Sequence, residues 1–176
     1  MLSGQRRPHD NVADTPFFDK TADCNLFSFS QSRVEYMGTH FLCASKEFSP
    51  TAGELDDEHD DYINPGAYAL ELGDFLEKEL GLRGYPAKFR CQEDWGHWME
   101  LDHQGNFTLA VCCSNTGEDI DGQAEHRVFL SPEKPYVRKL FKKIDISSDL
   151  DRLSKTIQDV LESNPDIHNI RMERMP

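Results

Sequence analysis

Apolar residues recur at helical spacing in three stretches of the chain. The first begins at Asn64 and Pro65, which suit the N-cap and the first position of a helix. The other two cover 135–144 and 148–163, the latter with Ser148 as its cap. The three apolar stripes are Tyr68, Leu72, Phe75, Leu76 and Leu80; Val137, Leu140, Phe141 and Ile144; and Leu150, Leu153, Ile157, Val160 and Leu161. We therefore expect three helices, each with one buried side.

Short runs rich in β-branched and aromatic residues, separated by turn residues, are typical of strands. Such runs occur at 34–44, 87–92, 97–102, 107–114, 125–131 and 167–173. Four of them follow one another as in an antiparallel meander, and NTGEDIDGQ at 115–123 reads as a loop. The pattern predicts an α+β fold, a mainly antiparallel sheet of about five to six strands with helices packed on one face.

Two regions show neither the helical spacing of apolar residues nor a strand-like run. Residues 1–30 mix polar residues with scattered phenylalanines, which indicates a loosely ordered N-terminal tail, so that 31–176 would form a single domain. The segment TAGELDDEHDDY at 51–62 holds six acids between Glu54 and Asp61. Because like charges at this density repel one another, we expect a solvated loop.

These acids contribute to a net charge of −13 in a chain of 176 residues. Such a charge opposes phosphate, so binding to nucleic acid is disfavoured, whereas a basic protein partner would be attracted. No run approaches the roughly 18 consecutive apolar residues of a membrane-spanning helix. Residues 1–20 also lack the apolar core of a secretory signal. We expect a cytoplasmic protein without a membrane partner.

The five cysteines are odd in number and irregularly spaced: Cys24, Cys43, Cys91, Cys112 and Cys113. Reduced, mostly buried thiols are therefore expected rather than a disulfide framework. Zinc is an alternative use, since thiols and imidazoles are its usual ligands, but the candidates form no CxxC or HxxxH pattern. Those candidates are Cys91, His97, His103, Cys112, Cys113 and His126.

Catalysis by a cysteine nucleophile is a further alternative, because a neighbouring histidine could act as its base. A small hydrolase or transferase would pair Cys91 or Cys112 with His97 or His126. However, no Gly- or Ser-rich elbow surrounds any cysteine, and no phosphate-binding, dinucleotide-binding or HExxH motif occurs. We expect no catalytic residues, no cofactor and no metal.

The stretch CQEDWGHWMEL at 91–101 concentrates polar and aromatic residues in one predicted hairpin. Glu93 and Asp94 are adjacent in its turn, where ordinary solvated carboxylates are expected. Trp95 lies in the same turn and either packs back on the sheet or contacts a partner. Trp98 has the same two interpretations, since tryptophan is frequent both in cores and among interface hot spots.

Several motifs occur together between Asn64 and Glu173: NPG, a GY turn, EDWG-x-W, a strand ending in CC, KPYVRKLFKKID and NPDIHNIRME. In this combination the chain resembles a family of small bacterial proteins, the immunity proteins of interbacterial toxin systems such as effector–immunity pairs of type VI secretion. The resemblance implies a protein that neutralises a cognate toxin by occluding its active site. An effector-associated chaperone is a second non-enzymatic alternative.

The partner-binding residues are then expected in the acidic loop and in the turn of the 91–101 hairpin. They are Asp56, Asp57, Glu58, Asp60, Asp61, Glu93, Asp94 and Trp95. The four cations of the 135–144 segment indicate either an ordinary solvated face or a patch for an acidic partner.

Overall fold

A computed structural model describes residues 38–174, all of which belong to one compact unit. The elements in chain order are β1 (Thr39–Ala44), α1 (Leu70–Leu82), β2 (Ala87–Glu93), β3 (Gly96–Leu101), β4 (Ala110–Ile120), β5 (Gln123–Ser131), β6 (Tyr136–Lys139), β7 (Lys142–Asp145), α2 (Ser147–Ser163) and β8 (His168–Arg174). The predicted N-terminal tail, 1–30, and the first residues of the predicted 34–44 strand lie outside the described residues.

Six strands form one antiparallel sheet in the order β2-β3-β4-β5-β1-β8. The meander from β2 to β5 pairs each strand with the next along the chain, because short turns join them. The first and last described strands close the sheet beside β5, with β8 at its edge. The predicted α+β class with a mainly antiparallel sheet is confirmed.

Both helices pack against one face of this sheet and share its apolar core. The core residues of each strand alternate with residues of the other face, as the two-residue period of a strand requires. From the sheet the core takes Phe41, Cys43, Met99, Leu101, Val111, Cys113, Val128 and Leu130; from the helices it takes Leu72, Leu76, Leu80, Leu153, Ile157, Val160 and Leu161. The predicted stripes of the first and last helices are thus largely buried as expected.

The predicted helix over 135–144 is wrong, because this segment forms the two-stranded β6–β7 hairpin. Val137 pairs with Ile144 across the hairpin, while Leu140 and Phe141 form its turn. Those two residues, expected to face inward, are almost fully exposed at 92% and 104% of their accessible area. Hydrophobic spacing alone therefore gave the wrong element here.

The starts of both helices also differ from the prediction. Helix α1 begins at Leu70, not at Asn64 or Pro65, so Tyr68 precedes the helix. Helix α2 begins at Ser147, whose N–H donates to the carboxylate of Asp145, and Ser148 does not cap it. In each helix a carboxylate upstream of the start accepts from at least one backbone donor there.

The segment 115–123, predicted as a loop, instead extends the β4–β5 hairpin. Asp121 and Gly122 form its two-residue turn, both with positive φ (55° and 74°). An Asp-Gly pair is well suited to such a turn because glycine and aspartate tolerate the left-handed region. A bulge between Asn115 and Asp119 adjusts the register of the extension.

Candidate functional site

Glu54 anchors the acidic loop to the start of α1. Its Oε1 accepts hydrogen bonds from the backbone N–H groups of Ala69 and Leu70, each at 2.8 Å, and its Oε2 accepts one from Thr51 at 2.9 Å. The residue is only 3% exposed. Glu54 was expected to be one of six solvated acids; that prediction is wrong for this residue, because its carboxylate satisfies the free donors at a helix N-terminus.

The rest of the loop is a series of tight turns that keeps its acids at the surface. Backbone N–H groups of Asp56, His59 and Tyr62 each bond to the carbonyl three residues earlier. A Cβ on Gly53 would lie 2.6 Å from the His59 ring, so a larger residue here would require the exposed His59 side chain to move. Asp56, Asp57, Glu58 and Asp60 are exposed, and Asp61 is half-buried.

Two hydrogen bonds join the acidic loop to the turn between β2 and β3. The side-chain amide of Asn64 donates to the carbonyl of Asp94 at 2.7 Å, and that of Gln92 donates to the carbonyl of Asp61 at 2.9 Å. The structure therefore places the acidic loop next to the β2–β3 turn, the two segments in which the partner-binding residues were predicted. Asn64, expected to cap a helix, has this bridging contact instead.

Asn115 ties the same loop to the β4–β5 hairpin. Its side chain accepts from the N–H of Tyr68 at 3.0 Å and donates to the carbonyl of Gly66 at 2.9 Å. Beyond Asn115 the hairpin ends in three exposed acids that sequence analysis had not selected: Glu118, Asp119 and Asp121. We call the acids of these three segments the acidic end: Asp56, Asp57, Glu58, Asp60, Asp61, Glu93, Asp94, Glu118, Asp119 and Asp121.

The carboxylates at and near the acidic end raise the pKa of neighbouring groups. Burial raises the pKa of the Tyr68 hydroxyl, and the negative charges of Glu54 and Asp119 raise it further. Burial likewise raises the pKa of Glu93, with a smaller contribution from the charge of Asp94 and an opposing one from a Cys91 hydrogen bond. Carboxylates from separate segments therefore act on shared surroundings and form one electrostatic surface.

Two large apolar side chains are exposed among these acids. Leu55 is 67% exposed in the loop, and Trp95 is 37% exposed in the β2–β3 turn. The Trp95 ring also reaches back over the sheet to Phe129, with ring centroids 5.4 Å apart. Its two predicted roles are thus compatible, since the ring packs on the sheet while part of it stays exposed. Trp98 is half-buried and lies 6.3 Å from the Phe89 ring.

A signal for Glu118, Asp119 and Asp121 was present in the sequence. Asp121-Gly122, flanked by Ile120 and Gln123, is a strong two-residue hairpin motif, and it places the acids before it on a projecting strand end. Reading 115–123 as a loop separated them from the sheet. Their proximity to the acidic loop depends on the Asn115 contacts, which no local pattern encodes.

The strand register separates the cysteines from the histidines of the predicted catalytic pairs. Directly opposed residues of an antiparallel pair share a face, and successive residues alternate. Cys91 is opposite Trp98, and Trp98 is opposite Cys112, so both thiols lie on one face. His97 neighbours Trp98, and His126 is opposite Asn115, three residues from Cys112; both histidines therefore lie on the other face.

The thiols themselves are buried and disfavour the reactive thiolate form. Burial raises the pKa of Cys43 and of Cys113 to about 12, and it raises that of Cys112 as well. These three and half-buried Cys91 are free thiols, which confirms the expectation of reduced, mostly buried cysteines for the described residues. Cys24 lies outside them. Within residues 38–174, no three His, Cys, Asp or Glu side chains are grouped so as to hold a metal ion.

His103 borders a cleft between α1, α2 and the turn after β3. Its Nδ1 accepts from the N–H of Gly105 at 3.0 Å, and its Nε2 lies 2.7 Å from the carbonyl of Phe107, to which a protonated Nε2 donates. Both ring nitrogens are thus engaged in holding a tight turn. This histidine has a structural role and is not placed to act as a base.

In comparisons with known proteins, no family model, curated protein or solved structure matches this chain. Among the described helices, neither is long and apolar enough to cross a lipid bilayer. The acidic end, with its exposed carboxylates and the side chains of Leu55 and Trp95, is the candidate functional site.

Proposed function

We propose that this protein is an immunity protein that binds a basic surface of a cognate bacterial toxin through the acidic end and occludes its active site. The observation that carries the proposal is the joining of three acidic segments by the Asn64, Gln92 and Asn115 side chains. An acidic surface held in one shape suits recognition of a protein partner, because little ordering entropy remains to be lost on binding.

Two physical roles follow for this surface. The exposed carboxylates attract a basic partner at long range and raise the association rate. Leu55 and Trp95 then offer apolar area that loses water on contact, as the anchors of many interfaces do. Cys91 and Cys112 lie on the face of the sheet opposite to His97 and His126, which supports a binding role over the hydrolase or transferase alternative.

The first experiment removes charge without disturbing the turns. A variant with Asp56→Asn, Asp57→Asn, Glu58→Gln and Asp60→Asn keeps the side-chain oxygen of residue 56 that accepts from the N–H of residue 58. The control removes four exposed acids from α2 and the segment after it, with Asp151→Asn, Asp159→Asn, Glu162→Gln and Asp166→Asn. The binding partner tested is the product of the gene adjacent to the one encoding this chain.

We expect the acidic-end variant to bind that product with an association rate roughly tenfold or more lower at low salt, and the control to change little. In a growth assay with the toxin gene induced, the wild type and the control rescue growth, whereas the acidic-end variant does not. Equal association rates for the two variants would show that the acidic end is not part of the interface.

The same complex tests the two alternatives. If the bound partner retains its full activity, the protein escorts it and does not neutralise it. For the enzyme alternative, whose nucleophile would be Cys91 or Cys112, iodoacetamide at neutral pH should react rapidly with neither thiol in the native protein and should label both after denaturation. Rapid native labelling of either thiol would revive the nucleophile hypothesis.

A further inference from the structure

The β6–β7 hairpin presents an apolar tip between four cations. Leu140 and Phe141 form the turn and are almost fully exposed, at 92% and 104%. The residues that flank them on the two strands are Arg138, Lys139, Lys142 and Lys143, all exposed. We call Tyr136–Asp145 the basic hairpin.

Contacts along the basic hairpin and at its base hold it in place while its tip projects. The Lys143 ammonium lies 3.7 Å from the centre of the Tyr136 ring, and Lys139 donates to the side chain of Asn106. At the base, the N–H of Ile146 bonds to the carbonyl of Pro135 at 3.0 Å. The tip is therefore an ordered projection and not a frayed turn.

The residues of the tip are not those that the turn itself favours. Leu140 has φ of 54°, in the left-handed region that suits glycine or asparagine. A polar pair would be better hydrated and less strained there. Adjacent, nearly fully exposed Leu and Phe side chains, framed by charge, are the kind of surface that usually contacts another molecule.

The basic hairpin and the acidic end lie at opposite ends of the sheet. Strand β3 begins at Gly96, next to the turn that carries Glu93, Asp94 and Trp95. It ends at Leu101, before the turn that contains Asn106, the contact of Lys139. One end of the molecule thus offers carboxylates around Leu55 and Trp95, and the other offers cations around Leu140 and Phe141.

We infer that the basic hairpin of one copy of this chain docks on the acidic end of a second copy. The two surfaces carry opposite charges at the rim, and both have apolar side chains at the centre, so they complement one another. Because the two surfaces differ, the contact is head-to-tail and leaves one free surface at each end of a dimer. Further copies can then add, so the assembly grows into short chains.

The contact area is small, so association should be weak and is best measured at protein concentrations on the order of 0.1 mM. The net charge of −13 makes two copies repel one another at very low ionic strength. At 0.15 M salt the Debye length is about 8 Å, which screens that repulsion but not charges in direct contact. Sedimentation velocity at this salt concentration is therefore the test.

The test variant carries Leu140→Gly and Phe141→Ser, which removes the apolar tip while glycine suits the backbone at 140. Its matched control is Leu82→Ser, another exposed leucine, 74% accessible, at the end of α1. The sedimentation coefficient of the wild type and the control should rise with concentration. That of the tip variant should stay at the monomer value, with an association constant at least about tenfold lower.

A mixing experiment identifies the two surfaces. The acidic-end variant (Asp56→Asn, Asp57→Asn, Glu58→Gln, Asp60→Asn) retains an intact basic hairpin, and the tip variant retains an intact acidic end. Each should be monomeric alone, and an equimolar mixture should form dimers and nothing larger. Mixed variants that stay monomeric would contradict a head-to-tail contact.

Two outcomes overturn the inference outright. One is a wild type that sediments as a monomer at every concentration; the other is self-association that the tip variant leaves unchanged. Binding of the basic hairpin to vesicles of anionic lipid by a wild type that remains monomeric would assign the tip to a membrane surface instead. The tip variant leaves the acidic end intact, so failure here and failure of the proposed toxin binding are distinguishable.

Discussion

A single carboxylate anchors the acidic loop to the start of α1. Glu54 is nearly buried and takes three backbone donors, two of them from the N-terminus of α1. Its neighbours Asp56 and Glu58 are exposed. Along the sequence these acids look alike, because two of the three partners that distinguish Glu54, the N–H groups of Ala69 and Leu70, lie 15 and 16 residues later. Its role could not be predicted from local composition.

Replacing Glu54 with alanine should destabilise the protein. The buried N–H groups of Thr51, Ala69 and Leu70 would lose their acceptor, and we expect the free energy of unfolding to fall by about 1–3 kcal/mol. Urea denaturation followed by circular dichroism measures this. Glu58→Ala, in the same loop but exposed, should change stability by less than about 0.5 kcal/mol. Equal losses in both variants would contradict the anchoring role.

Buried histidines make stability depend on pH. His126 is fully buried, and burial lowers its pKa from 6.5 to about 4. Burial also lowers the pKa of His40 and His97. The unfolded chain therefore binds protons below pH 6.5 that the folded chain does not. The stability that depends on these histidines being neutral is fully present above pH 6.5, and it is lost as the pH falls from 6.5 toward their lowered pKa values.

The prediction is a fall in unfolding free energy of up to about 1.4 kcal/mol per pH unit from His126 alone between pH 6.5 and 4, or about 3 kcal/mol in all. Glu133 has the opposite effect on stability, because burial raises its pKa to about 7. Protonation in acid then removes the cost of burying its negative charge. The comparison is therefore between the wild type and His126→Gln in urea at pH 7.5, 6 and 5. A difference between them that does not change with pH would refute the assignment.

Among the secondary-structure elements, one spacing of apolar residues is compatible with two structures, a helix and a β-hairpin. Apolar residues at 137, 140, 141 and 144 form a helical stripe, but the same positions are symmetric about the 140–141 bond. A two-residue hairpin therefore pairs 137 with 144 and places 140 and 141 in its turn. Periodicity cannot distinguish the two. The other two stripes have no such symmetry, and apart from Tyr68, which precedes α1, their residues lie in helices as predicted.

The β2–β3 turn depends on Gly96 for a reason visible only in three dimensions. Its φ is 152°, and a Cβ there would lie 2.3 Å from the carbonyl oxygen of Cys113 on β4. The sequence predicts a turn at EDWG, but it does not show that the next strand approaches so closely.

Gly96→Ala should therefore destabilise the protein by more than about 2 kcal/mol, since backbone of β3 or β4 has to move. Gly117→Ala is the matched comparison, because Gly117 has positive φ (82°) but nothing within 4 Å of a built Cβ. There we expect about 1 kcal/mol from backbone strain alone. Thermal unfolding of both variants gives the comparison, and a smaller loss at 96 than at 117 would argue against the close approach.

Across residues 38–174 charge is distributed unevenly, and we expect the like charges gathered at one end to reduce stability. The acidic end gathers carboxylates with few cations between them, whereas Asp159 on α2 is paired with Lys155 at 3.3 Å. Composition predicted the overall acidity and an acidic partner-binding loop. It could not predict that three segments would meet at one end, since that depends on β-sheet topology and on the contacts of Asn64, Gln92 and Asn115.

Neutralising part of the acidic end should stabilise the free protein. Asp56→Asn with Asp57→Asn and Asp60→Asn relieves repulsion, and we expect a gain of roughly 0.5–1 kcal/mol at low salt that shrinks as salt is added. Asp159→Asn removes a paired charge and should give no gain. Chemical denaturation at 0.02 M and 0.5 M salt distinguishes the two. Equal responses would mean that the acids do not repel one another measurably.

The position of Trp95 has a practical consequence. The chain has only two tryptophans, and Trp98 is half-buried while Trp95 is partly exposed at the acidic end against Phe129. A molecule settling there would strip water from the Trp95 indole and shift its fluorescence emission to shorter wavelength. With Trp98 replaced by phenylalanine and excitation chosen so that only tryptophan absorbs, Trp95 is the only residue that fluoresces, so occupancy of that surface can be followed without any attached dye.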